Sequence, residues 1–270
     1  MSTPNQQPDW DKIAEKFDLW LPQLAPVIDE LLFVLRAAPG QKILDVASGT
    51  GEPALTLARQ LGPETQIVGT DAAEGMVRVA NQKARGKDLQ NLRFEVMSAE
   101  KLDFSDNSFD RVLCRFGVML FADPLQGLKE MQRVLRPDGR FAIAVWNTPE
   151  LMPIMHWSYQ VFKPRLEEDQ LPALTKITSM SGPGVLEDNL HKAGFSDFDI
   201  ETRTLDYRFD SFDAFWDTVE ASDILKQQFD AIADSEKASI RDEVSGFASE
   251  FVQDGKLVVP HEYLLAYGVK

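Results

Sequence analysis

Between Lys42 and Trp146 short apolar runs alternate with stretches whose apolar residues recur every three or four positions, the signature of a parallel sheet with crossover helices. Lys42-Ile43-Leu44-Asp45-Val46 reads as a first strand, followed by the loop Ala47-Ser48-Gly49-Thr50-Gly51. Pro53 stands where a first helical turn tolerates proline, and Leu55, Ala58 and Leu61 continue at helical spacing. Gln66 to Thr70 predicts a second strand ending at Asp71, after which Ala73, Met76, Val77, Ala80 and Ala84 trace one helix face. Leu92, Phe94 and Val96 alternate as a third strand, and Phe109 to Arg115 reads as a fourth. Leu125, Leu128, Met131 and Leu135 mark another helix. A type I turn at Arg136-Pro137-Asp138-Gly139 stops it before a fifth strand from Phe141 to Trp146.

On the flanks, Trp10, Ile13, Phe17, Leu21 and Leu24 repeat at helical spacing. Phe198, Ile200 and Thr202 alternate, but the phase then shifts to Leu205, Tyr207 and Phe209, which predicts a sixth strand with a bulge or bend near Arg203. Residues 211–254 are helical in pattern, and Leu257 to Tyr267 alternate as a last strand, with Pro260 at an edge or bulge. The expected fold is a doubly wound α/β sheet of seven strands, Rossmann-like, with N-terminal helices and a helical insertion between strands six and seven. No repeat or linker divides the 270 residues, so one domain is expected. Its parts are a cap at 1–40, the first half of the sheet at 41–147, a covering segment at 148–183, the remaining sheet at 184–210 and 255–270, and the insertion at 211–254.

Composition narrows the function. Hydrophobic residues at 44% and charged residues at 26% are ordinary for a globular chain, and apolar runs such as Leu31 to Leu35 are too short to span a bilayer. With 28 basic against 43 acidic side chains the net charge is −15, the wrong sign for neutralising backbone phosphates, so no nucleic-acid partner is expected. Residues 1–150 carry 17 basic and 21 acidic groups, whereas 151–270 carry 11 and 22. That acidic second part either favours cationic or neutral small molecules or is a solvated surface. Cys114, alone, cannot make an internal disulfide and reads as core packing. Met1 to Asp9 has neither a basic nor an apolar leader pattern, so a cytoplasmic location is expected. No metal site is expected.

In open α/β sheets ligands bind beyond the carboxyl ends of the strands, which directs attention to the glycine loop. Gly49-Thr50-Gly51-Glu52-Pro53-Ala54 fits the dinucleotide pattern G-x-G-x-x-A, and Asp71 stands where a ribose-binding acid belongs, which would suggest a nicotinamide oxidoreductase. Against that, Asp45 and Glu52 flank the loop, and no lysine or arginine occurs between Lys42 and Arg59 to meet a pyrophosphate. Carboxylates there suit a cofactor with an ammonium and a sulfonium, as in S-adenosylmethionine.

Ile43-Leu44-Asp45-Val46-Ala47-Ser48-Gly49-Thr50-Gly51 resembles motif I of the class I S-adenosylmethionine-dependent methyltransferases. Ala47 makes it similar to the ubiquinone/menaquinone biosynthesis C-methyltransferase group. The resemblance continues through Val68-Gly69-Thr70-Asp71 and Ser98-Ala99-Glu100-Lys101-Leu102. It extends to Asp106-Asn107-Ser108-Phe109-Asp110 and to Leu128-Lys129-Glu130-Met131 with Leu135-Arg136-Pro137-Asp138-Gly139. It covers roughly residues 10–146. It implies an antiparallel last strand, and it implies that Ala47, Gly49 and Gly51 let the backbone approach the methionine portion of the cofactor, with Asp45 bordering that pocket. Asp71 would accept from the ribose hydroxyls, Met76 would pack on the adenine, and Ala99 would offer its N–H to the ring. Where many relatives place an aspartate for the adenine amino group this chain has Ser98, with Glu100 as a substitute. Ala72, Arg115 and Phe116 complete the implied cofactor contacts.

Relatives close an N-terminal helix over the cofactor, so Phe17 and Trp20 are expected beside the sulfonium, where an aromatic face gains about 0.5–2 kcal/mol. The segment after strand five commonly overhangs the acceptor, which makes Trp146, His156, Trp157 and Tyr159 expected substrate contacts, with His156 a possible base for a carbon or hydroxyl acceptor. His191 is expected to be exposed and His261 partly buried. The expected activity is methyl transfer from S-adenosylmethionine to a small-molecule acceptor by in-line displacement. Its alternatives are an NAD-dependent oxidoreductase and an S-adenosylmethionine-binding protein without turnover.

Overall fold

The structure is a computed structural model that describes residues 8–270; residues 1–7, most of the Met1–Asp9 stretch read above for a leader pattern, lie outside the described residues. The N-terminal helices α1 (Trp10–Phe17) and α2 (Leu21–Leu35) precede β1 (Lys42–Val46), α3 (Ala54–Leu61), β2 (Gln66–Asp71), α4 (Glu74–Gly86) and β3 (Leu92–Val96). Then come β4 (Phe109–Arg115), α5 (Pro124–Val134) and β5 (Leu135–Trp146). Helices α6 (Pro153–Phe162), α7 (Leu174–Ile177) and α8 (Val185–Ala193) lead to β6 (Asp197–Phe209). Helices α9 (Phe212–Ser222), α10 (Lys226–Asp230) and α11 (Asp234–Ala248) separate β6 from the two-residue β7 (Val252–Gln253) and the final β8 (Lys256–Val269).

The strands lie in the order β3-β2-β1-β4-β5-β8-β6, with β7 folded back on the start of β8. β1 to β5 run parallel and β8 enters antiparallel between β5 and β6. Burial explains the run-like strands: Ile43 to Val46 and Phe141 to Trp146 are buried without interruption, as central parallel strands covered on both faces must be. The order reverses beside β1, so the crevice where ligands collect opens above the ends of β1 and β4.

Two local expectations are corrected. No bulge occurs near Arg203: β6 pairs with β8 in unbroken register from Asp197–Val269 to Phe209–Leu257. The change of phase arises because the two halves of this edge strand bury opposite faces. Phe198 meets Phe141 and His191, whereas Tyr207 and Phe209 meet Trp20 on the other side. Second, the Arg136–Gly139 turn is an excursion inside β5: Leu135 pairs with Phe109 and Arg140 with Arg111. Lys270 holds it there, since Asp138 N donates to Lys270 O (3.2 Å) and Lys270 N to Gly139 O (2.9 Å). Pro260 lies beyond the last β5 pair, Trp146–Tyr263, where β8 has only β6 beside it and a missing N–H costs no ladder bond.

Candidate active site

The loop after β1 is shaped by three left-handed residues, Ala47 (φ 55°), Gly49 (φ 53°) and Gly51 (φ 111°). Ser48 N donates to Thr70 O at 2.9 Å, which pins the loop to β2. Gly51 serves packing: a Cβ there would lie 2.8 Å from Leu55 Cδ1 and 3.1 Å from Phe94 Cζ. The residues that face the cavity are Ala47, Ser48 and Gly49, so the expected contacts of Gly51 and Asp45 are corrected to a supporting layer. Asp45 is fully buried, burial raises its carboxyl to about 8 against the opposing charge of Arg115, and its Oδ2 accepts from Ala54 N at 3.2 Å.

That bond belongs to a set that decides what the loop can bind. The first four N–H groups of a helix are the usual seat of a phosphate. In α3 all four are taken: Ala54 by Asp45, Leu55 by Gly51 O (2.8 Å), Thr56 by Glu52 Oε2 (3.1 Å) and Leu57 by Pro53 O (3.0 Å). A pyrophosphate would have to displace two carboxylates.

At the end of β2, Asp71 Oδ2 accepts from Gly49 N (2.9 Å) and Oδ1 from Ala73 N (3.0 Å). Burial raises its pKa, while these two N–H groups oppose the rise. Beside it Ala72, Met76, Met97 and Ala99 form a mostly apolar slot, and the Ala99 N–H has no partner among the described residues. Glu100 is already engaged: Oε1 accepts from Ala122 N (2.7 Å) and Asp123 N (3.2 Å), and Oε2 accepts from the Ser98 hydroxyl. Its pKa is lowered, because these hydrogen bonds outweigh the upward push of partial burial. Glu100 thus shapes the loop that enters α5, with three of its about four acceptor positions occupied.

The N-terminal helix covers this slot. Asp11 accepts from Gly75 N at 2.5 Å at the start of α4, and a Cβ on Gly75 would stand 2.6 Å from Asp11 O, so side-chain-free backbone is what allows the approach. The Thr50 hydroxyl donates to Asp18 at 2.6 Å, Lys83 bridges Asp18 (2.5 Å) and Thr50 O (3.0 Å), and Lys16 pairs with Asp223. Phe17 and Trp20 are thereby set in the cavity wall.

The cavity, about 940 Å³, continues from this slot to the far edge of the sheet. Phe116 (φ 57°) stacks on Trp146 at 3.8 Å and 8°. From α6 the wall takes Ile154, Met155, Trp157, Ser158, Val161 and Phe162. His156 and Tyr159 fall outside it, which corrects both expectations: they are out of phase with the cavity face of α6, and His156 Nε2 instead lies 2.8 Å from Gln160 Nε2. Residues not anticipated as site residues close the rest: Tyr207 from β6, Phe215, Trp216 and Val219 from α9, and Ile240 and Val244 from α11. His191 is exposed as expected. His261 is fully buried, stacked on Tyr207 at 4.3 Å, and burial lowers its pKa to about 4.

A family model described as a methyltransferase domain matches residues 37–183, more than half of the chain. The chain belongs to the S-adenosylmethionine-dependent methyltransferases. It is 42% identical over 116 residues to the ubiquinone/menaquinone biosynthesis C-methyltransferase of Geobacter sulfurreducens, covering 43% of this chain and 45% of that one. The chain spans about half the length of the curated relatives it matches. A methyltransferase from Bacillus halodurans, described as putative, superposes with a TM-score of 0.60 over 90% of this chain and 98% of its own, at 22% identity. A SAM dependent methyltransferase from Aquifex aeolicus matches with a TM-score of 0.51, at 26% identity, over 73% of this chain and 91% of its own.

The methyltransferase cofactor fits the residues present. Asp71 keeps two acceptor positions free, the Ala99 N–H awaits an acceptor, and Ala47–Gly49 presents backbone to the cavity. The donors a dinucleotide phosphate needs are spent. Among the described residues no cluster of histidine, cysteine, aspartate or glutamate could hold a metal, and no helix is long and apolar enough to cross a membrane.

Proposed function

We propose that this chain transfers a methyl group from S-adenosylmethionine to a small, largely apolar acceptor by in-line displacement. The observation that carries the reading is the continuity of one cavity from the polar slot at Asp71, Gly49 and Ala99 to an aromatic chamber under α6 and α9. When bound, the cofactor supplies an electrophilic methyl group on a sulfonium. Asp71 holds the ribose, Met76 and Met97 flank the base, Ala99 N donates to it, and Phe17 and Trp20 lie over the methionine portion. Phe116, Trp146 and Trp157 shape the acceptor end, and a flat or aromatic acceptor suits these walls. The relatives named for C-methylation in ubiquinone and menaquinone biosynthesis support an acceptor of that kind.

With no base facing the chamber from α6, the protein contributes alignment and exclusion of water, worth about 7–11 kcal/mol when reacting atoms are well placed. Alignment comes from the ion pairs and hydrogen bonds that tie α1 to α4 and to the β1 loop, and dryness from the helices above. The test is transfer of radiolabel from methyl-labelled S-adenosylmethionine to a panel of phenols, quinols, amines and carboxylic acids. Labelled product from an apolar member is expected, and S-adenosylhomocysteine binding with no transfer to any member would favour a binding protein without turnover.

A further inference from the structure

In the cavity wall at the end of β4 stands a cation that no group in the protein neutralises by contact. Arg115 closes β4 with its side chain in the cavity wall, and its Nη1 is sealed from solvent without a partner. Among the described residues no hydrogen bond or ion pair reaches the guanidinium. Arginine has five N–H donors, no acceptor, and keeps its charge in proteins. The carboxyl groups nearest in effect do not touch it: Asp45 accepts from Ala54 N with Oδ2 and keeps a buried, unpartnered Oδ1, and Glu52 accepts from Thr56 N.

Tyr207 faces the same space. It is 4% exposed, its ring is fixed by His261 at 4.3 Å and by Trp20 at 6.2 Å, and its hydroxyl has no hydrogen bond among the described residues. The charge of Arg115 acts on that hydroxyl, opposing the upward push of burial. Trp20 Nε1, a third donor in this wall, is also unpartnered. These donors share the cavity wall with the aromatic side chains of Phe116, Trp146 and Phe215.

We propose that Arg115 and Tyr207 are a positioning pair that holds an ionised or acidic oxygen of the methyl acceptor. The pair selects molecules whose apolar body carries a carboxylate, phenolate or enolate. This rests on the methyltransferase reading of the cavity. The same chemistry could come from the carboxylate of the cofactor's methionine portion, but Tyr207 lies on β6, five strands beyond β2 and Asp71. At the usual strand spacing that is about 24 Å of sheet from the ribose end, whereas Arg115 on β4 is only two strands from β2, so 5′-methylthioadenosine is the ligand that separates the two sources.

The probes are 1-naphthoate and 1-naphthylmethanol, which share an apolar body and differ in charge, titrated calorimetrically with and without saturating S-adenosylhomocysteine. The wild type should bind naphthoate at least tenfold more tightly than the alcohol. Arg115→Gln should bring that ratio close to one, and Tyr207→Phe should reduce it severalfold while keeping S-adenosylhomocysteine affinity within threefold of wild type. A ratio near one in the wild type, or an unchanged ratio in the variants, overturns the proposal; Tyr207→Phe answers alone if Arg115→Gln fails to fold. The proposal also fails if Arg115→Gln weakens S-adenosylhomocysteine tenfold or more but leaves 5′-methylthioadenosine, which lacks the amino-acid portion, unaffected, because the cation then serves the cofactor. Absence of S-adenosylhomocysteine binding by the wild type would sink the methyltransferase reading, and the naphthoate ratio measured without it would still decide for or against the pair.

Discussion

Replacing Asp71 with alanine tests the cofactor half of the site at its most constrained residue. A carboxylate offers about four acceptor positions. Gly49 N and Ala73 N occupy two at 2.9 and 3.0 Å, leaving two for the two ribose hydroxyls. Hydrogen bonds to a charged group are worth about 1.5–3 kcal/mol each, so losing both costs about 3–6 kcal/mol. At about 1.4 kcal/mol per decade, S-adenosylhomocysteine affinity should fall about 10²- to 10⁴-fold. Asp71→Asn keeps one acceptor oxygen and turns an NH₂ group toward Gly49 N or Ala73 N, so it should fall between wild type and alanine. Isothermal titration calorimetry reads the affinities, and the melting temperature without ligand separates loss of ribose contacts from collapse of the Gly49 loop. A dissociation constant for a folded Asp71→Ala protein within threefold of wild type would refute the ribose assignment.

Other outcomes follow from the same geometry. Gly51→Ala forces a Cβ to 2.8 Å from Leu55 Cδ1 at φ 111°, so it should destabilise the fold by about 1–3 kcal/mol, read as a lowered urea midpoint. His156→Ala should leave the methyl-transfer rate within a factor of about three, because the ring lies outside the cavity wall; a loss of tenfold or more, about 1.4 kcal/mol of barrier, would return it to the chemistry. His261, held neutral by burial with a pKa of about 4 against 6.5 when unfolded, stabilises fully above pH 6.5. That contribution, about 3 kcal/mol, is lost as the pH falls from 6.5 toward 4. Urea titrations across this range should show the wild type losing more stability than His261→Asn, and parallel profiles would contradict the assignment.

The cofactor half of the site was legible because its residues sit in loops that directly follow strands. Once Ile43 to Val46 and Val68 to Asp71 are strands, the fold rule places Gly49 and Asp71 together at their ends. The acceptor half was legible only in part. Tyr207 looks like any inward residue of a strand, and its place in the cavity depends on β8 inserting between β5 and β6, a long-range pairing no local pattern announces. The roles of Phe215 and Trp216 depend on α9 folding back over the crevice. His156 could have been set aside from its phase, since Ile154, Trp157 and Val161 mark the inward stripe of α6 and leave it off the face. At Arg203 the change of phase was real, but a strand buried on opposite faces in its two halves produces the same pattern as a bulge.

The most direct measurement is the melting temperature of the wild-type protein with S-adenosylhomocysteine and, separately, with NADH. At one hundred times its dissociation constant the sulfur nucleoside should add about 2.7 kcal/mol of stability and raise the melting temperature by several degrees, while NADH leaves it unmoved. A rise with NADH and none with S-adenosylhomocysteine would mean that the occupied N–H groups of α3 open to phosphate after all, and the assignment of the cavity would fall.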